Sequence, residues 1–169
     1  KRGKDGKPDG GFSEPYCYHI DQFESLRPVF MRVIEYCHAM GLDMIQGDHE
    51  DAPGQLELNW TFDDVVRNAD RLSTYRQICS QVARENNLIA CFMTKPFMGV
   101  SASGCHTNIS LWRGGEEGIN KLHNDKLPGM EGVFTYRTGG ENTFMPDTDD
   151  PQLPGKVGLQ CVGGIVKHL

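Results

Sequence analysis

Two glutamates seven residues apart across a Pro-Gly turn constrain this chain more than any other feature. The stretch reads Gly47-Asp48-His49-Glu50-Asp51-Ala52-Pro53-Gly54-Gln55-Leu56-Glu57-Leu58-Asn59-Trp60. Leu56, Leu58 and Trp60 alternate with Gln55, Glu57 and Asn59, which predicts a half-buried strand with one polar face. A short strand over 43–48, then the turn, then this strand predicts an antiparallel hairpin. Such a hairpin sets Glu50, at the turn, near Glu57 on the polar face. Carboxylates are hard oxygen donors suited to Mg²⁺ or Mn²⁺, and two so close need a cation to be stable. Taken alone, the same residues also describe an acidic turn in water beside one exposed strand glutamate.

Further on comes Ser103-Gly104-Cys105-His106-Thr107-Asn108-Ile109-Ser110-Leu111-Trp112. Its alternation predicts a strand over 105–111 with His106, Asn108 and Ser110 on the polar face. Imidazole suits Mn²⁺ or Zn²⁺, although a lone histidine on a polar strand face is also an ordinary surface residue. The small-residue loop 99–104 offers backbone N–H groups to an anion but lacks a Walker ending. Lys95, after the apolar run 88–93 that reads as a central strand, is a candidate phosphate or charge partner. A surface lysine at a strand end fits equally well. No Gly-x-Ser-x-Gly occurs, and no cysteine is placed as an obvious nucleophile.

Helical spacing covers 21–40, with Phe23, Leu26, Phe30, Val33, Ile34 and Cys37 on one stripe. Asp21 is the expected cap, with Glu24 completing a capping box; Pro28 marks a kink or the first turn, and Gly41 the stop. Thr61 is the expected cap of a second helix ending near Asn86-Asn87, with Asp63 and Asp64 in its first turn. Residues 1–20 read as loop, 21–112 as a core carrying the ligand strands, 113–153 as a long loop or insertion, and 154–169 as the start of a helix. This is one domain of α+β class. Its antiparallel or mixed sheet is open on one polar face, with helices packed on the other.

A net charge of −6 argues against a nucleic-acid surface. No apolar run approaches the ~20 residues that span a bilayer, and no signal peptide opens the chain. Six scattered cysteines without a CxxC pair read as reduced thiols of a cytoplasmic protein, with Cys37, Cys79 and Cys161 on apolar helix faces. The chain opens without Met in a Gly/Lys/Pro run and stops inside a helical pattern, so it reads as a segment of a longer protein.

Taken in order, His49-Glu50, Ala52-Pro53-Gly54-Gln55, Glu57, Ala69-Asp70, Phe92-Met93-Thr94-Lys95-Pro96 and Ser103-Gly104-Cys105-His106-Thr107-Asn108-Ile109-Ser110-Leu111 resemble the catalytic domain of glutamine synthetase. Asn142-Thr143-Phe144 and Val162-Gly163-Gly164-Ile165-Val166-Lys167-His168 extend the resemblance. It implies that Glu50 and Glu57 ligate one divalent metal and His106 another. It places Phe62, Asn108 and Ser110 beside a nucleotide, and Ala102, Ser103 and Gly104 in a loop approaching substrate glutamate. The implied reaction is an ATP-dependent ligation that forms a γ-glutamyl amide from glutamate and ammonia through γ-glutamyl phosphate. Methylamine, ethylamine or a polyamine are alternative amines, and a non-catalytic assembly or binding role is the alternative class. Magnesium or manganese is the implied cofactor, and a double-ring homo-oligomer the implied assembly. Asn108 stands where the family often has His, and Ser101-Ala102 where it has Asn-Gly. The family's Glu-x-Glu strand, its Asn-Ser-Tyr-Lys-Arg segment and its N-terminal domain lie outside the chain. Little or no ligase activity is therefore expected of this segment alone.

Overall fold

Helix α1, Ile20–Ala39, lays Phe30, Val33 and Cys37 against the hairpin that follows it. The computed structural model describes residues 17–113, 120–123, 133–136, 140–146 and 152–168. Its further elements are β1 (Met44–His49), β2 (Leu56–Trp60), α2 (Val65–Glu85), β3 (Trp112–Arg113), β4 (Asn120–His123), β5 (Val133–Tyr136), β6 (Glu141–Asn142) and α3 (Lys156–His168). The strands pair as three two-stranded sheets: β1 with β2, β3 with β6 and β4 with β5. The α+β class holds. The chain divides into two compact units, one of Lys1–Cys105 and Lys121–Thr135, the other of His106–Asn120 and Tyr136–Leu169.

In the first unit the core is Val33, Cys37, Leu42, Ile78 and Val82, with Leu58, Tyr75 and Cys79 packed on it. The Trp60 and Tyr75 rings pack at 5.4 Å between centroids, tilted 52° to each other. Gly47 is needed for close approach: a Cβ there would lie 2.2 Å from Phe30 Cζ and 2.8 Å from Leu58 Cδ2. Burial pushes the Cys37 thiol up to about 12 and the Cys79 thiol up to about 11, so neither is a reactive thiolate. Of the helix cysteines, only Cys161 departs from expectation; it is exposed.

Both predicted helix caps move. His19 precedes α1 and makes no side-chain cap bond, Asp21 lies inside the first turn, and Glu24 binds Arg27 at 2.9 Å instead of closing a capping box. Pro28 sits well inside α1 and so is not its first turn. Thr61 does not cap α2. Its amide donates to the Asp43 carbonyl at 3.1 Å, continuing the contacts of the hairpin. Asp64 caps instead, its Oδ1 accepting from Val66 and Arg67 at 3.1 and 3.0 Å. Asp63 turns inward, with only 1% of its side chain exposed, and holds the buried Arg71 at 2.9 Å. Arg71 also reaches the Gly41 carbonyl at 3.3 Å, tying the head of α2 to the end of α1. Asn87 stands at φ 54, and the Leu88 amide closes back on the Ala83 carbonyl, which ends α2 where expected.

Neither 88–93 nor 105–111 forms a strand. A strand needs a partner for its backbone groups, and among the described residues neither run is paired in a ladder, although the Leu111 carbonyl accepts the Thr143 amide at 2.8 Å. Ile89, Met93 and Ile109 are exposed accordingly. The ladder that exists nearby is displaced by a few residues, with Trp112 opposite Asn142 and Arg113 opposite Glu141. In the same unit α3 forms as predicted. Its buried position is Gly158, where a Cβ would come within 3.0 Å of Pro154 Cβ, while Leu159, Val162, Ile165 and Val166 stay exposed. Most of the predicted loop 113–153 lies outside the described residues. No described helix is long and apolar enough to cross a membrane.

Candidate metal and substrate site

The hairpin closes with the Glu50 amide donating to the Gln55 carbonyl at 2.9 Å and the Gln55 amide to the Ala52 carbonyl at 2.9 Å. That closure fixes the register: His49 pairs with Leu56, Asp48 with Glu57 and Gly47 with Leu58. Gly47 and Leu58 face α1, and Asp48 and Glu57 share the opposite face. The direct neighbour of Glu57 is thus Asp48, a residue the sequence reading did not single out.

Three carboxylates therefore gather at the turn end of the hairpin. Glu50 accepts the Asp51 N–H at 3.1 Å, which lowers its carboxyl. Partial burial, contact with Glu57 and the charge of Asp48 outweigh that bond and leave it raised. Asp48 is raised first by burial and then by the charge of Glu57. Its Oδ1 is buried with no hydrogen-bond partner among the described residues. No lysine or arginine among them pairs with any of the three. Asn59 donates to Glu57 Oε1 at 3.0 Å and orients it.

An orphaned carboxylate oxygen inside a group of hard oxygen donors fits a divalent cation of the Mg²⁺ or Mn²⁺ kind. The donors do not close a shell by themselves: no described group of three or more His, Cys, Asp or Glu side chains is arranged to hold a metal ion. His106 belongs to the second unit and is exposed there on irregular backbone, rather than on a strand face. Asn108 and Ser110 lie on the same exposed stretch, where Ser110 Oγ accepts the Trp112 indole N–H at 3.0 Å.

Back in the first unit, Phe62 follows β2 with about half its surface (53%) exposed. The loop carrying Ala102, Ser103 and Gly104 rests on the hairpin turn. Ser101 Oγ donates to Asp51, and Gln55 Nε2 donates to the Ala102 carbonyl at 3.0 Å. Ser103 N–H donates to the Thr94 carbonyl at 2.8 Å and closes the loop at its base. The Lys95 ammonium donates to the Val100 carbonyl, inside that same loop. The structure thus joins Glu50, Glu57 and residues 101–104 in one neighbourhood. The sequence reading missed the residues that join them, Asp51 and Gln55.

A sequence model described as glutamine synthetase, catalytic domain, matches residues 12–140. The chain belongs to that family. Among curated proteins it is similar to a glutamine synthetase of Rhizobium leguminosarum bv. phaseoli, 39% identical over 100 residues, covering 59% of this chain and 23% of the relative. It is also similar to a glutamate–methylamine ligase of Methyloversatilis universalis, 35% identical over 119 residues, covering 70% of this chain and 26% of the relative. A solved structure titled "Apo GmaS without ligand" matches 96% of this chain and 34% of its own, with a TM-score of 0.69 at 27% identity. The chain spans about a quarter of the length of the curated relatives it matches.

Proposed function

We propose that this chain supplies the cation-holding hairpin and the glutamate-side loop of an ATP-dependent glutamate–amine ligase. The observation that carries the reading is the unneutralised group of Asp48, Glu50 and Glu57, placed beside the loop 101–104. In this reading Glu50 and Glu57 hold one divalent cation, Mg²⁺ or Mn²⁺, with Asp48 Oδ1 behind them, and His106 holds another. When bound, such cations neutralise charge on transferring phosphates. Residues 101–104 set the glutamate side-chain carboxylate for attack on the ATP γ-phosphate, and an amine then displaces phosphate from γ-glutamyl phosphate. Phe62 offers an apolar ring to the nucleotide, and Asn108 and Ser110 supply its polar contacts. Lys95, whose ammonium donates to the Val100 carbonyl, is the phosphate or charge partner beside that loop. The protein's part is positioning and electrostatics rather than covalent chemistry.

Ammonia is the amine of the leading reading. Methylamine is the alternative favoured by similarity to the methylamine ligase, which extends over more of the chain. The intact assembly is read as a cytoplasmic double ring with an open polar sheet face at each site. Titration of Mn²⁺ against the chain and its Glu57→Ala variant tests the reading. Measurable binding that the variant weakens at least tenfold supports it, and equal affinity of the two removes it. Supplying ammonia or methylamine to the intact ligase separates the two amines.

A further inference from the structure

We propose that Gln55 is a positioning residue that transmits the state of the carboxylate hairpin to the loop 101–104. The inference rests on the functional reading above and adds a device to it. Gln55 uses both ends of its side-chain amide. Its Oε1 accepts the Ala52 N–H at 3.0 Å, inside the turn. Its Nε2 donates to the Ala102 carbonyl at 3.0 Å, forty-seven residues away in sequence. One rigid amide plane therefore spans two segments, so a shift of the turn moves the loop carbonyl with it.

The turn is in mechanical contact with the cation site. Glu50 accepts the Asp51 N–H, and its own amide donates to the Gln55 carbonyl. Asp51 in turn accepts from Ser101. Glu50 and Glu57 would hold the cation, and any movement of Glu50 on binding would reach the segment that holds Ala102 and Ser101. Nothing else described ties the loop tip to the hairpin. Its other anchors, Ser103 to Thr94 and Lys95 to Val100, are internal to the loop. Gln55 is only half-buried, so water would satisfy a freed amide at little cost. Ordering the side chain in place costs rotamer entropy, and what it gains is loop position.

Two backbone amides report the two halves separately. The Ser103 amide reads the loop, through its bond to Thr94, and the Glu50 amide reads the hairpin, through its bond to Gln55. Gln55→Glu keeps an acceptor for the Ala52 N–H and loses the donor to Ala102. Residue-resolved hydrogen exchange on this chain is expected to show Ser103 exchanging about tenfold faster in Gln55→Glu, the equivalent of one lost hydrogen bond, with Glu50 unchanged. Mn²⁺, compared at concentrations that saturate each protein, is expected to slow Ser103 exchange more in the unaltered chain than in the variant, which keeps only the Asp51–Ser101 bond. Unchanged Ser103 exchange in the variant overturns the proposal, as does equal loosening of both amides, which would make Gln55 only a stabiliser of the turn. Absence of Mn²⁺ binding to either protein sinks the cation reading, while the comparison without Mn²⁺ still decides whether Gln55 holds the loop.

Discussion

Asp48 and Glu57 stand directly opposite each other across the β1–β2 ladder, on the face turned away from α1. Like charges in that relationship oppose folding. A hairpin that carries them, with Glu50 beside both, concentrates like charge that a bound cation would relieve.

Neutralising Glu57 is therefore expected to stabilise the cation-free chain and to abolish its response to metal. Glu57→Gln should unfold at a slightly higher temperature than the unaltered chain in EDTA, by the on the order of 0.2–1 kcal/mol that a like-charged cross-strand pair costs. In millimolar Mn²⁺ the order should reverse, because only the unaltered chain gains binding energy. Thermal melts with and without Mn²⁺ check this, and a variant that responds to Mn²⁺ as fully as the original refutes it.

The same group sets a pH dependence of unusual sign. Asp48 and Glu50 are raised above their ordinary values of 3.8 and 4.5. A carboxyl raised by folding binds its proton more tightly in the folded state, so acid favours folding here. The destabilisation is fully present above the raised values and is relieved as pH falls through them toward the ordinary ones. Relative to Asp48→Asn, the unaltered chain should gain urea resistance as pH falls from neutral toward the ordinary carboxylate value. Equal pH profiles for the two would count against the cluster.

At Gly47, alanine is expected to cost about 1–3 kcal/mol by overpacking. The added methyl would meet the ring end of the buried Phe30, and that ring is held edge-on by Phe23 at 4.8 Å between centroids. Phe30→Leu together with Gly47→Ala should recover part of the loss. Denaturant midpoints of the three variants measure it, and additive losses would contradict the direct clash.

Asp63 and Asp64 are neighbours with opposite duties, and alanine should separate them. Asp63→Ala leaves the buried Arg71 guanidinium without its 2.9 Å partner, and Arg71 Nη1 already lacks a partner among the described residues. The Asp43 carboxylate stays 3.7 Å from Arg71, so the loss falls at the lower end of the about 3–5 kcal/mol of a broken buried pair, little affected by salt. Asp64→Ala removes an exposed cap from two amides and should cost clearly less. Urea unfolding of both in low and high salt ranks them, and an Asp63→Ala loss no larger than that of Asp64→Ala would contradict the buried pairing.

Much of this molecule was legible from local pattern. Both long helices, the hairpin and α3 follow from periodicity and from stop signals such as Gly41 and Asn86-Asn87, because each repeats over enough residues to outvote single exceptions. The cap assignments failed where a neighbour competed for the same residue. Thr61 was claimed by Asp43 and Glu24 by Arg27, while Asp63, expected only as a first-turn residue, was claimed by Arg71. The apolar runs 88–93 and 105–111 read as strands, yet a strand is a relation between two segments, and no run can supply its own partner.

By itself the sequence determined which side chains were available for chemistry: paired carboxylates around a Pro-Gly turn, an imidazole and a small-residue loop, in an order that marks one family. Tertiary structure alone decided that Asp48, rather than Glu50, faces Glu57, and that Gln55 reaches Ala102. The reason is physical. Composition and spacing along the chain fix what a residue can do, whereas ladder register and contacts between distant segments are set by which hydrogen bonds close and which side chains pack, and those depend on everything the segment meets.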